Sequence, residues 1–251
     1  MSGPVQLTPV ALGQGVGAAF STRLGGVSAP PWDELNLAYH VDDDWDRAFA
    51  NRHLLAAAIG QPFLRCCYVH QVHGDAVVGV AEHHVGTVKT RGGRRDGDAM
   101  VTRAVGAPLV IMVADCVPVL LADPEARVVA GVHAGRKGVQ ADIVGKAVAV
   151  MREAGATDIS AAIGPSVCPG CYEVPGAMAA EVDAAVPGTA ARTRTGTPSL
   201  DLAAGVASQL AAAGVRRVAR DGRCTVESPE LFSHRRDGVT GRFAGVVWLE
   251  P

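Results

Sequence analysis

The sequence lacks a hydrophobic run long enough to cross a membrane. A membrane helix needs about 20 consecutive apolar residues, and the longest apolar stretch, around Pro108 to Ala122, is interrupted by Asp115 and Pro118. The N-terminus also lacks the charged and apolar regions of a secretory signal. We therefore expect no membrane partner.

An excess of charge of one sign is missing, and cysteine is scarce. The 23 basic and 25 acidic residues give a net charge of -2, and no basic block stands out, so no nucleic-acid partner is expected. Six cysteines in 251 residues are too few for a disulfide scaffold. Without an export signal they indicate a reducing compartment with free or metal-bound thiols. The expected location is the cytoplasm.

Apolar residues are plentiful enough for a large core. They make up 48% of the chain, and charged residues make up 19%. No internal repeat or low-complexity linker divides the sequence, so we expect one domain over residues 1–251. The sequence specifies no oligomeric state and is compatible with a monomer.

Short apolar runs and amphipathic segments predict mixed strands and helices. The first forty residues are rich in glycine and proline and are predicted to be loop-like. Because strands and helices do not alternate strictly, an α+β layered sandwich fits better than a doubly wound fold. Strands are predicted at 67–69, 76–80, 100–102, 109–113, 117–122, 128–133, 159–163 and 243–249. Helices are predicted between the aspartates at 42–44 and Gly60, and at 139–154, 177–185 and 202–213.

Arg52 falls on the apolar stripe of the first predicted helix, together with Leu55. A buried guanidinium is costly unless it meets an anion. Its position therefore indicates either a buried ion pair with an internal carboxylate or a clamp for a phosphate or carboxylate of a substrate.

Three short segments each place a histidine or cysteine among small residues at a strand end or turn. They are VHQVHG with His73, VADCVP with Cys116 and GVHAG with His133. One thiolate and two imidazoles are good zinc ligands, and three protein ligands leave one position open for water or substrate. Without metal, the same trio is suited to base-assisted thiolate chemistry. The alternative is that each residue is structural, a role that single cysteines and histidines often have.

Two further segments carry polar side chains whose role the sequence leaves open. Cys168 and Cys171 form a CxxC, a spacing found in structural zinc sites and redox centres. No second CxxC and no thioredoxin-like context accompany it, so we interpret it as a turn that places two thiols beside the site. The polar segment from Phe232 to Arg242 is typical of a solvated loop, and contact with an anionic substrate is the alternative.

In this order the segments resemble the laccase-domain proteins, a family described as multicopper polyphenol oxidases and as purine nucleoside phosphorylases with adenosine deaminase activity. The resemblance covers nearly the whole chain. The matching segments are FSTRLGGVS, Asn51-Arg52, QVHG, DAMVT from Asp98, ADCVPVLLAD, GVHAG, IGPSVCPGCYEV, Cys224-Thr225 and FSHRRDGVTGR.

The resemblance implies an αββα sandwich in which His73, Cys116 and His133 are the metal-binding and catalytic residues. It also implies that Arg52 contacts the substrate. The implied reactions are phosphorolysis of adenosine, inosine, guanosine and methylthioadenosine, and deamination of adenosine, with a nucleoside and phosphate as the partners. The expected cofactor is zinc, with copper as the alternative.

Some positions depart from the family pattern. Arg136 and Lys137 stand where the family usually has tryptophan and arginine, and His234 stands where tyrosine is more usual. Lysine at a phosphate-facing position keeps the charge but loses bidentate contact, so Lys137 is a candidate substrate contact. Asp98 is a second candidate, because the carboxylate of either Asp98 or Asp115 can hold the edge of the base or orient a histidine.

Two other functions remain as alternatives. A copper oxidase would use the His/Cys/His set as a blue-copper site. However, a three-copper cluster needs many histidines, and the chain has only eight, with no His-x-His pair. The other alternative is a non-catalytic metal-binding protein, which predicts metal binding without nucleoside turnover.

Overall fold

Two β-sheets lie face to face, and helices cover the outer side of each. The computed structural model describes residues 3–85 and 95–251. The strands are β1 (Leu7–Pro9), β2 (Val16–Ser21), β3 (Val77–Val80), β4 (Ala99–Thr102), β5 (Leu109–Val113), β6 (Val117–Asp123), β7 (Val128–Ala134), β8 (Ser160–Ile163), β9 (Ala190–Arg192), β10 (Pro198–Leu200), β11 (Arg217–Arg220) and β12 (Phe243–Leu249). The α-helices are α1 (Trp45–Ala58), α2 (Arg136–Gln140), α3 (Ile143–Glu153), α4 (Gly176–Ala185), α5 (Leu202–Ala212) and α6 (His234–Asp237).

The two large sheets differ in their strand directions. The four-stranded sheet has the order β1-β2-β12-β5 and is antiparallel throughout. The six-stranded sheet has the order β11-β8-β6-β7-β4-β3, with parallel pairs at its two ends and antiparallel pairs between them. Strands β9 and β10 form a separate antiparallel pair. This arrangement confirms the predicted α+β class with mixed sheets.

Strands β5, β6, β7 and β12 of the two sheets are buried on both faces, which explains why they appear as continuous apolar runs in the sequence. In β6, Leu120 packs between the two sheets, whereas Leu121 packs against α3 and α5 on the outer side. In β12, Val247 points between the sheets and Val246 packs against α1. The result is an α/β/β/α sandwich with three apolar layers.

The structure confirms the first predicted helix and corrects the longest one. Helix α1 begins after Asp44, whose side chain accepts a hydrogen bond from the Arg47 backbone N–H. The helix predicted over 139–154 is confirmed for most of its length by α3, but it does not run unbroken from residue 139. The chain forms α2 and then α3, because Asp142 takes a left-handed conformation and its side chain caps the new helix at Gly145.

The prediction of a loop-like first forty residues is also wrong in part. This region contains β1 and β2, and β2 is buried along its whole length. Residues 67–69, predicted as a strand, make a single-residue bridge from Cys67 to Leu109. None of the helices in the described part of the chain is long and apolar enough to cross a bilayer.

Candidate active site

His73, Cys116 and His133 meet beside the ends of the two central strands of the six-stranded sheet, β6 and β7. Cys116 immediately precedes β6 and His133 lies near the end of the antiparallel strand β7, where it pairs with Pro118. His73 belongs to the loop that enters β3. The potential ligand atoms of the three residues all lie within 4.8 Å of one another.

Asp98 holds the two histidines in place. Its carboxylate accepts a hydrogen bond from His133 Nδ1 at 2.7 Å and from the backbone N–H groups of Val72, His73 and Gly74 at 3.3, 3.0 and 2.7 Å. The Asp98 side chain is fully buried. Burial opposes its ionisation, but the hydrogen bonds from His133 and the backbone lower its pKa. Asp98 therefore has the orienting role considered from the sequence.

Two residues of the site have an uncommon backbone conformation. His73 has φ of 60° and Asp115 has φ of 91°, values that residues other than glycine rarely adopt. The Asp98 bonds stabilise the first turn. The second is stabilised by the Asp115 carboxylate, which accepts from Thr225 Oγ1, Ser233 Oγ and the Arg235 backbone N–H, each at 2.6 Å. Strained backbone of this kind is often found at functional sites.

Gly135 lies directly against the side chains of His73 and Cys116, where no side chain has room. A Cβ atom at this position would lie 2.9 Å from His73 Cδ2 and 3.2 Å from Cys116 Sγ. Any side chain there would push the candidate ligands apart. The glycine that ends GVHAG is therefore a steric requirement of the site.

The electrostatics of the trio favour a thiolate and an imidazolium. Burial would raise the pKa of Cys116, but the adjacent rings of His133 and His73 lower it to about 6. Burial would lower the pKa of His133, but Cys116 and Asp98 raise it to about 9. The trio can therefore hold and transfer a proton near neutral pH.

The trio also fits zinc. Because Nδ1 of His133 is bonded to Asp98, its Nε2 remains as the ligand atom, and a carboxylate behind a metal-binding histidine is the usual arrangement in zinc sites. Zinc bonds are about 2.0–2.3 Å long, so the donor atoms must lie close together, as they do in this cluster. Three protein ligands leave a fourth position for substrate or water.

A pocket of about 680 Å³ opens beside the trio. This volume is within the usual range for small-molecule sites. The other residues of its wall are His40, Gln71, Met112, Val113, Ala114, Asp115, Tyr172, His234, Arg235 and Arg242.

Two arginines of the segment from Phe232 to Arg242 lie in the pocket wall. Arg235 lies over the Tyr172 ring at 5.2 Å, and Arg242 Nη1 donates to the carbonyls of Thr240 and Gly241. Burial lowers the pKa of Arg242, although Cys116 and Asp115 oppose that effect. The sequence had left this segment open between a solvated loop and an anion contact, and the structure places two of its arginines, Arg235 and Arg242, in the pocket wall.

The predicted substrate contacts at Arg52 and Lys137 lie elsewhere. Arg52 is buried, with its guanidinium 3.8 Å from the Tyr39 ring centre and 4.0 Å from that of Tyr68, and its Nε donates to the Leu37 carbonyl. This stacking between two rings was not predicted. Lys137 is exposed on α2 and is not part of the described pocket wall. Asp98 is also outside that wall, so all three substrate contacts stay predictions.

Comparison with known proteins identifies the family. Residues 17–250 match the model for multi-copper polyphenol oxidoreductase laccase. The chain is 50% identical over 232 residues to a purine nucleoside phosphorylase of Mycobacterium bovis, covering 92% of this chain and 90% of the relative. It is 45% identical over 232 residues to one of Corynebacterium glutamicum, covering 92% and 93% of the two chains.

Solved structures agree with this match. YlmD from Geobacillus stearothermophilus has a TM-score of 0.88 and 33% identity, with 95% of this chain and 93% of that chain covered. A protein from Neisseria meningitidis has a TM-score of 0.86 and 30% identity, with coverages of 99% and 100%. The sandwich, the His/Cys/His trio and these similarities agree, and the chain belongs to the family of the multi-copper polyphenol oxidoreductase laccases.

Proposed function

We propose that this chain is a purine nucleoside phosphorylase. Such an enzyme uses inorganic phosphate to cleave the bond between the base and C1′ of the ribose, giving a free purine and a pentose 1-phosphate. The names of the two relatives support this proposal. The observation that carries it is a single pocket that combines a proton-transferring trio with the arginines 235 and 242.

The arginines are suited to bind phosphate and present it to the sugar. Arg235 and Arg242 supply positive charge on one wall of the pocket, and guanidinium groups match the oxygens of phosphate. A phosphate oxygen forms the new bond to C1′ as the bond from C1′ to the base breaks. The electron pair of that bond leaves with the purine, which must then be protonated.

The trio is suited to supply that proton. Cys116 and Asp98 raise the pKa of His133 against the effect of burial and favour its imidazolium form, and the Cys116 sulfur lies within 4.8 Å of a ring nitrogen of both His133 and His73. His73, Cys116 and His133 all line the pocket, so the imidazolium proton is available to a ring nitrogen of a purine bound there. Met112 and Tyr172 provide apolar surface beside this position for the base.

Zinc extends the proposal to a second reaction. His73, Cys116 and His133 would hold the zinc ion, which would supply Lewis acidity and a water of lowered pKa, the chemistry that deamination of adenosine requires. We propose adenosine, inosine, guanosine and methylthioadenosine as phosphorolysis substrates and adenosine as the deamination substrate. The ligands for phosphorolysis are a nucleoside and phosphate, whereas deamination uses adenosine and water and releases ammonia.

A chromatographic assay with adenosine, run with and without phosphate, tests the function. We expect adenine and ribose 1-phosphate only when phosphate is present, and inosine in its absence if the protein also deaminates. Cys116→Ala should reduce turnover by about 10²–10⁴-fold, because it removes a member of the proton-transferring trio. Cys66→Ala is the matched control, since Cys66 is buried in the layer beneath α1. Full activity in Cys116→Ala would contradict the assignment.

The family description also makes a copper oxidase a candidate. The two ligand clusters found in residues 3–85 and 95–251 together contain two histidines, both in the trio. That set matches a single blue-copper centre but is too small for a three-copper cluster. Oxygen consumption with a phenol and bound copper, without any nucleoside product, would favour the oxidase.

A further inference from the structure

A second group of potential metal ligands lies outside the pocket. It consists of Cys168 and Cys171 from the loop after β8, and Cys224 and Glu227 from the loop after β11. The four ligand atoms all lie within 4.8 Å of one another. We call these four residues the thiol cluster.

The two loops present their ligands in the same way. The Cys168 carbonyl accepts from the Cys171 N–H at 3.0 Å, and the Cys224 carbonyl accepts from the Glu227 N–H at 3.1 Å. Each loop thus forms a tight turn with ligands at its first and fourth positions, one turn as CxxC and the other as CxxE. The glutamate occupies the position that a second CxxC would fill, which is why the sequence pattern shows only half of the site.

Backbone contacts hold the two turns side by side. The Cys168 N–H donates to Cys224 Sγ at 3.3 Å, and the Thr225 N–H donates to the Ser166 carbonyl at 3.1 Å. Cys171 Sγ lies 3.8 Å from Glu227 Oε1. The geometry therefore brings three thiols and a carboxylate together before any ion binds.

We propose that the thiol cluster binds one structural zinc ion. Three thiolates and one carboxylate are ligands that zinc accepts, and paired turns with this spacing are typical of closed tetrahedral zinc sites. Four protein ligands leave no position for substrate. Arg194 lies against the cluster, with Nη1 3.1 Å from Cys171 Sγ and an ion pair to Glu227, and its charge partly offsets that of the four anionic ligands.

The ion would stiffen the pocket wall without entering the pocket. The CxxC turn leads directly into Tyr172 and is tied to Asp115, whose carbonyl accepts from the Val167 N–H at 2.9 Å. The CxxE turn contains Thr225, which donates to the Asp115 carboxylate. Zinc at the cluster therefore connects both loops that pack against the turn before Cys116.

Zinc analysis in a Cys116→Ala background tests the site, because that change disables the trio as a metal centre. By elemental analysis after purification under reductant, we expect about one zinc per chain. Adding Cys224→Ala should remove it, whereas adding Cys66→Ala, at a buried cysteine outside both clusters, should leave it in place. X-ray absorption should show three sulfur neighbours at about 2.3 Å and one oxygen at about 2.0–2.2 Å.

A gain-of-ligand variant keeps the test independent of folding defects. In the same background, Glu227→Cys completes a second CxxC, so the sulfur count around zinc should rise from three to four with the zinc content unchanged. Three results would overturn the proposal: zinc retained after Cys224→Ala, a coordination shell dominated by nitrogen and oxygen, or a Cys168–Cys171 disulfide in place of zinc. None of these depends on nucleoside turnover, so the proposed function is tested separately.

Discussion

The two ligand clusters in the described part of the chain both contain cysteine but differ in their other ligands and in their geometry. His73 comes from a loop and Cys116 and His133 from the ends of two central strands; all three face a pocket, and three ligands would leave one position of a bound metal open. The thiol cluster comes from two tight turns that close around one point with four ligands. The structural elements that supply the ligands therefore decide whether a metal site is open to substrate or closed by protein ligands.

The thiols of the two clusters also differ in their acidity. Burial raises the pKa of Cys168, and the nearby Cys224 and Cys171 raise it further. Burial acts in the same direction on Cys116, but His133 and His73 outweigh it and lower the pKa to about 6. A thiol beside imidazoles is therefore a reactive thiolate near neutral pH. A thiol beside other thiols stays protonated unless a cation binds and stabilises the thiolate.

Among the variants that leave the ligands of both clusters in place, Asp98→Asn is expected to cause the largest loss of activity. The change removes the charge that orients His133 and the turn of His73, and loss of such a partner costs about 10–100-fold in activity or metal affinity. The kcat/KM of phosphorolysis measures it. Asp96→Asn is the matched control, because Asp96 makes an exposed pair with His70 at 2.8 Å. Equal losses in both variants would show that the Asp98 pairing has no special role.

A second difference is expected in the alkylation of the two thiols in metal-free protein at pH 7, where Cys116 should react at least about tenfold faster than Cys168. Cys116 is protonated below its folded pKa of about 6 and is a thiolate above it, so its reaction with iodoacetamide should reach half-maximum near pH 6. Cys168, with a raised pKa, should react only at alkaline pH. Peptide mass spectrometry measures both rates. If the pH midpoint for Cys116 were near that of an ordinary thiol, the proposed difference in acidity between the two thiols would be wrong.

The smallest effect on turnover is expected for Cys171→Ser, which tests whether the thiol cluster acts through stability alone. Loss of a structural metal ligand should cost on the order of 2 kcal/mol of unfolding free energy, or about 4–8 °C in Tm for a chain of this size. The kcat of the folded variant should stay within about twofold of wild type. Cys116→Ser should show the reverse pattern, with a large loss of kcat and little change in Tm. Similar profiles for the two variants would remove the distinction.

The sequence predicted those strands that are buried on both faces and form an unbroken apolar run. Continuous apolar runs predicted β5, β6, β7 and β12, because each of these strands packs between two apolar layers. The same reasoning missed β11, whose residues are mostly exposed, since an edge strand leaves little apolar pattern. It also missed β2, which lies among glycines and polar turns.

The break between α2 and α3 shows a limit of periodicity. The spacing of apolar residues continues through the break, so periodicity predicts one helix. The break arises because Asp142 takes a left-handed backbone conformation and caps the start of a second helix. An aspartate three residues before Gly145 is compatible with either a helix interior or an N-cap. Only the packing of α3 on the sheet decides between them.

What the sequence by itself determined is the layered α+β class and the three segments that carry His73, Cys116 and His133, because apolar patterning and small flanking residues are local properties. Tertiary structure alone decided that Asp98 orients the trio, that Arg235 and Arg242 line the pocket, and that Cys224 and Glu227 join the CxxC. These pairings join residues far apart in sequence. Strand order and loop packing create such contacts, and neither is encoded in any single segment.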